Sequence, residues 1–81
     1  MVVSIKFHGM QRVITNTDRL DMPAKENMKV QDALEYVKKC YPDFPLEDGM
    51  TIVTVNHEIA TPDRILKDKD TISILPMIAG G

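Results

Sequence analysis

The chain ends in Ala79-Gly80-Gly81, a few residues after a hydrophobic run that stops at Pro76. A free C-terminal carboxylate is a poor acyl donor at neutral pH, because its ionised oxygen resists nucleophilic attack. It transfers nothing until another molecule activates it. Gly80 and Gly81 suit that chemistry: lacking Cβ atoms, they let the backbone thread a narrow channel and adopt angles closed to other residues. Pro76 cannot carry a strand ladder onward, so residues 77–81 are expected to project as an arm. Contiguous exposed apolar residues mark interfaces, and Pro76, Met77 and Ile78 are expected to dock in a partner groove. The competing reading folds Ile78 back onto its own sheet. A terminal Gly-Gly alone is also what a frayed end looks like, so its weight rests on what precedes it.

No other residues form a reactive constellation. His8 and His57 are the only imidazoles, and neither has a second ligand at metal spacing. Both read as surface strand or turn residues, and no metal site is expected. Cys40 is the single cysteine, which excludes an internal disulfide. It reads as a small hydrophobe or an idle thiol. Lys67-Asp68-Lys69-Asp70 reads as a solvated charged turn whose charges could steer docking at an interface rim.

The sequence has 81 residues, 43% apolar and 27% charged, which fits one folded domain. A domain this small is stabilised by only about 4–12 kcal/mol. It can hardly also enclose a deep substrate pocket of roughly 300 Å³ or more, so a self-sufficient enzyme is not expected. The net charge is −2, and Lys38-Lys39 is the only adjacent basic pair, so a nucleic-acid partner is not expected. There is neither an apolar run of about 18 residues nor a signal-peptide layout. No membrane association is expected, and the expected location is cytoplasmic.

Hydrophobic periodicity supplies the elements. In residues 2–8, Val3, Ile5 and Phe7 share one face, which is strand spacing. Gly9 breaks the strand, and Asn16-Thr17-Asp18 is a second turn signal. Residues 13–22 read as the return arm of a hairpin with Leu20 and Met22 facing together; Met10-Gln11-Arg12 either lengthens a strand or forms the loop. The period changes over residues 27–41, where Val30, Ala33, Leu34 and Val37 line a helical stripe. Asn27 is the expected N-cap, Asp32 and Lys38-Lys39 suit the helix dipole, and Pro42 ends the helix. Residues 43–49 form a loop with Pro45 and an Asp48-Gly49 turn. Residues 50–55 are a β-branched strand, turned at Asn56-His57 into Glu58-Ile59-Ala60. Residues 62–66 read as a short helical turn. Residues 71–75 form the last strand, with Ile72 and Ile74 alternating against Thr71, Ser73 and Leu75. Two hairpins flanking one helix make an α+β domain in which a mixed sheet of four to five strands wraps the helix. If the first and last long strands meet centrally they run parallel, which is the β-grasp (ubiquitin-like) arrangement. The expected division is a domain over residues 1–76 and a tail over residues 77–81.

The segment Val53-Thr54-Val55-Asn56-His57-Glu58-Ile59-Ala60, and the run from Leu66 through the charged turn and Ile72, Ile74 and Pro76 to Gly80-Gly81, resembles the C-terminal half of the ubiquitin-like sulfur carriers. The likeness is greatest to the small subunit of molybdopterin synthase. Those proteins pair a valine-asparagine-x-glutamate hairpin with a leucine before a charged turn, a strand ending in proline and a terminal Gly-Gly. Two positions depart from the pattern. Lys69-Asp70 stands where many members have glycine-aspartate, which affects local turn geometry. Met77 stands where many have a second proline, which bears on tail stiffness and partner choice. The thiamine-pathway sulfur carrier shares the Gly-Gly and is the second resemblance.

The resemblance implies that a ubiquitin-activating-type enzyme spends ATP to adenylate Gly81, and that sulfur from a sulfur donor enzyme displaces AMP to leave a thiocarboxylate. That sulfur would serve molybdopterin (molybdenum cofactor) biosynthesis or a related pathway, with the molybdopterin synthase large subunit as a further partner. The chain itself would bind no cofactor and supply no acid, base or metal. Two other readings are a protein modifier joined through Gly81 to target lysines, and a β-grasp binding module with an inert tail.

Overall fold

The computed structural model describes residues 1–44, 46 and 51–76. Strands β1 (Val2–Lys6) and β2 (Arg19–Pro23) pair antiparallel, with Val3 opposite Met22 and Ile5 opposite Leu20. β3 (Thr51–Val55) turns back into the short β4 (Glu58–Ile59). β5 (Thr71–Pro76) lies between the two hairpins, parallel to β1 and antiparallel to β3. The sheet order is β2-β1-β5-β3-β4, the five-stranded mixed sheet of a β-grasp fold. Of the two described helices, α2 (Val30–Cys40) is the one the sheet wraps, and no described helix is long and apolar enough to cross a membrane.

One face of the sheet and one stripe of the helix bury each other. Val3, Ile5, Phe7, Val55, Ile72 and Ile74 meet Val30, Ala33 and Val37, all buried, with Leu34 half-buried at the margin. Phe44 joins this core, its ring centroid 5.4 Å from that of Phe7, while Tyr41 meets Phe7 edge-on at 6.0 Å. The Lys38 ammonium donates to the Phe44 carbonyl at 2.9 Å, which ties the loop after α2 to the helix.

The structure corrects three expectations about the bounds and type of elements. The hairpin arm does not begin at residue 13: α1 (Gln11–Thr15) is a short helix ending at Asn16 in the left-handed region, and β2 starts at Arg19. Buried polar side chains stabilise that turn. The Gln11 side-chain oxygen accepts from the His8 N–H at 3.0 Å, and the Thr15 hydroxyl donates to the Thr17 carbonyl at 2.7 Å. Val13 and Ile14 consequently lie exposed.

The other two corrections share one cause. The helix starts at Val30 rather than near Asn27, which sits at φ 67° and is not the cap. Residues 62–66 are not a helical turn but a tight turn closed by the Arg64 N–H donating to the Thr61 carbonyl at 3.1 Å, after which Ile65 bridges Lys29. The Val30 N–H donates to the Arg64 carbonyl (2.9 Å) and the Leu66 N–H to the Met28 carbonyl (2.7 Å), so a tertiary pairing holds the chain extended just before the helix. Lys29 takes the cap position, its N–H donating to the Asp32 carboxylate at 2.8 Å. The expected features at Pro45, Asp48-Gly49 and Met50 lie outside the described residues.

Asn56 and Asp70 join the two halves of the C-terminal region. Asn56 (φ 52°) and His57 (φ 73°) form a two-residue hairpin turn between Val55 and Glu58, the left-handed pair such a loop requires. The Asn56 amide donates to the Asp70 carboxylate at 2.9 Å, and its carbonyl oxygen accepts from the Thr71 N–H at 2.9 Å. Asp70 also accepts from the Lys67 N–H at 2.8 Å and is 8% exposed. Asp70 is therefore a buried clamp rather than part of a solvated turn. Asp68, by contrast, is exposed and accepts the Val2 N–H at 3.0 Å.

Lys69, between them, sits at φ 70°, a conformation that costs a residue with a side chain about 1–2 kcal/mol. Lys69→Gly is expected to raise stability by up to about 1 kcal/mol, the relief being partly offset by glycine's larger entropy loss. Thermal denaturation checks this, and a lowered midpoint would show that the lysine side chain contributes more than its backbone strain costs.

Candidate functional site

β5 directly precedes the residues expected to act at the C-terminus. It is the central strand, paired on both sides, and it runs to Pro76 opposite Thr51. Pro76 is the last described residue; Met77, Ile78, Ala79, Gly80 and Gly81, expected to form the tail and its docking segment, lie outside the described residues. What the fold does show is the surface at the end of the sheet where β5 finishes.

Two surface features lie toward the end of the sheet at which β5 finishes. On the face of the sheet away from α2, Ile52 lies opposite Leu75 at the end of β5, and Ile59 lies opposite Thr54 on the neighbouring edge. Ile59 is 79% exposed while Ile52 and Leu75 are half-buried, so this face carries an apolar strip that begins beside Pro76.

The second feature is a cleft of about 570 Å³ lined by Lys6, Phe7, His8, Gly9, Arg12, Asp18 and Arg19, from the end of β1, from α1 and from the start of β2. It is open to solvent, so it is not the enclosed pocket argued against from chain length, but neither is the surface featureless. Because β1 and β5 are parallel with Lys6 opposite Ser73, the cleft sits at the end of the sheet toward which β5 runs. Lys6 and Arg19 are direct cross-strand partners. Like charges placed directly opposite repel, and Arg19 is partly neutralised by Asp21, 3.1 Å away. His8 Nε2 is buried with no hydrogen-bond partner among the described residues.

Sequence spacing did not reveal this cluster, and Lys38-Lys39 is not the only basic pair once the chain is folded. Positions 6, 12 and 19 have no linear pattern. The signal was the strand register: any hairpin placing Ile5 against Leu20 also places Lys6 against Arg19.

The remaining candidates stay separate. His57 is exposed in the hairpin turn, and no cluster among the described residues could hold a metal ion. Cys40 is an exposed free thiol at the end of α2 rather than a packed hydrophobe. Tyr36, one helical turn earlier, has its phenol pKa raised, mainly by the charge of the Cys40 thiolate.

Known proteins share this architecture. The structure is similar to molybdopterin converting factor subunit 1 from Pyrococcus furiosus, with a TM-score of 0.86 and 25% identity over 95% of this chain and 98% of that one. It is similar to SAMP1 from Haloferax volcanii at a TM-score of 0.84 and 19% identity, with each chain fully covered. A chain in the complex of subunits 1 and 2 of the molybdopterin-converting factor from Helicobacter pylori 26695 matches with a TM-score of 0.68 and 22% identity, again with both chains fully covered. No curated protein matches by sequence. The ThiS family model, however, matches residues 5–81. With that match spanning nearly the whole sequence, the chain belongs to the ThiS family of ubiquitin-like sulfur carriers.

Proposed function

We propose that the chain carries sulfur on its C-terminus. The observation that carries this reading is that the family match runs through residue 81 and so includes Gly80-Gly81. An adenylating enzyme joins the Gly81 carboxylate to the α-phosphorus of ATP and releases pyrophosphate. Hydrosulfide supplied through a donor enzyme then attacks the acyl carbon, the acyl–phosphate C–O bond breaks to expel AMP, and loss of the sulfur's proton leaves a thiocarboxylate. Residues 1–76 serve as the domain that partners grip, and residues 77–81 as the arm that enters their active sites. Gly80 and Ala79 give the arm a slim profile, and Pro76, Met77 and Ile78 dock at its base. The catalytic groups belong to the partners.

Molybdopterin formation is the favoured destination of the sulfur, because the Pyrococcus and Helicobacter neighbours bear molybdopterin converting factor names. The Helicobacter neighbour is in a complex with subunit 2, and a comparable larger subunit is the proposed acceptor partner here. Thiamine biosynthesis is the alternative destination. The similarity to SAMP1, named a small archaeal modifier protein, favours a second reading in which activated Gly81 is joined to lysines of other proteins.

Incubation with the adenylating enzyme, ATP and a sulfide source, followed by intact-mass measurement, tests the carrier. The expected product is heavier by the difference between one sulfur and one oxygen. Lysine-linked adducts in cells without a thiocarboxylate product would favour the modifier, and no ATP-dependent change would exclude both.

A further inference from the structure

We propose that the basic cleft at the tail end of the sheet is a recognition site for an acidic segment of the enzyme that activates Gly81. This rests on the carrier reading and names the chemistry of that partner's docking surface.

The cleft sets three cations, Lys6, Arg12 and Arg19, against one lining carboxylate, Asp18, on a chain whose net charge is −2. The described ion pairs are Arg19–Asp21 and Arg64–Glu58; neither Lys6 nor Arg12 enters one among the described residues. The register that forces Lys6 beside Arg19 builds in a repulsion, which a carboxylate placed between them would relieve. His8, lining the same cleft, brings an imidazole nitrogen without a partner.

The cleft's volume of about 570 Å³ exceeds that of one oxyanion, and its cations come from three separate elements on long stems. That arrangement fits a row of carboxylates better than a single phosphate. Position identifies the partner: five residues follow Pro76, and fully extended they reach no more than about 18 Å. An enzyme that holds Gly81 in its active site must therefore lie against this end of the sheet. A positive patch beside the tail orients the encounter and accelerates it.

The test is the Lys6→Glu/Arg12→Glu double variant. A carboxylate at position 6, opposite Arg19, replaces a like-charge pair with an attractive one, so the variant is expected to fold with no loss of thermal stability. In ATP-dependent thiocarboxylation its KM is expected to rise roughly tenfold or more with kcat unchanged, and the salt dependence of kcat/KM to flatten. Equal KM and equal salt dependence in variant and wild type, with wild type converted normally, would overturn the inference while leaving the carrier reading intact.

If the wild type is not converted, the carrier reading fails, and titration of the labelled protein with a hexaglutamate peptide still decides the cleft. Saturable amide shifts at Lys6, His8, Arg12 and Arg19 that vanish in the variant are the expected result. Absence of those shifts, or inorganic phosphate producing them as strongly as the peptide, would overturn it.

Discussion

Deletion of Gly81 is expected to abolish ATP-dependent thiocarboxylate formation and to leave the melting temperature essentially unchanged. The first half follows from the proposed carrier chemistry: the group to be activated would be the terminal carboxylate, and shortening the chain by one residue would withdraw it by about 3.5 Å from the partner's reacting centre. A misplacement of about 1 Å can already cost a hundredfold in rate. The second half follows from where stability resides. The described core side chains run from Val3 to Ile74, and the Asn56–Asp70 clamp lies wholly upstream of Pro76. Intact-mass assay and thermal denaturation of the same preparation separate the two effects. A substantial fall in melting temperature would show that the last residue belongs to the folded unit rather than to an arm.

Asp70→Ala should behave in the opposite way, costing stability before it affects chemistry. It leaves the Asn56 amide and the Lys67 N–H without their acceptor, at an expected cost of about 2–3 kcal/mol, since these are hydrogen bonds to a charged group. For a domain of this size that is roughly 10–20 °C in melting temperature. Asn56→Ala removes the other half of the clamp and also strips the Thr71 N–H of its acceptor. The two substitutions should be strongly non-additive, with a coupling on the order of 1 kcal/mol or more in a double-mutant cycle. Additive effects would mean that the two side chains act independently despite their 2.9 Å contact.

The sheet was legible because its strands alternate cleanly. Val3, Ile5 and Phe7, and later Ile72 and Ile74, are buried as their period of two requires, and the Asn56-His57 turn has the backbone its sequence predicts. Helix α2 was legible through Val30, Ala33 and Val37, but not its first turn. Residues 28–30 are tied to residues 64–66 by backbone hydrogen bonds, a contact with no local signature. The segment after Gly9 misled for a related reason: Val13 and Ile14 suggest a strand, yet Gln11 and Thr15 bury their polar groups to make a turn. At the candidate site, the Gly80-Gly81 terminus was visible in the sequence. The role of Asp70 was not, because a charged residue among lysines looks solvated until Asn56 is brought beside it. The Lys6–Arg19 cluster required a register that only folding supplies.

The placement of β5 has a mechanical consequence. A partner drawing on the tail applies its load at Pro76, along the axis of a strand bonded to β1 on one side and β3 on the other. Loaded that way, the ladder bonds resist together, in shear, rather than parting one at a time as they would if an edge strand were peeled away. In the proposed carrier role the domain would thus act as a fixed handle, letting an enzyme seize the carboxylate end, pull it taut and release it without unravelling the protein that brought it.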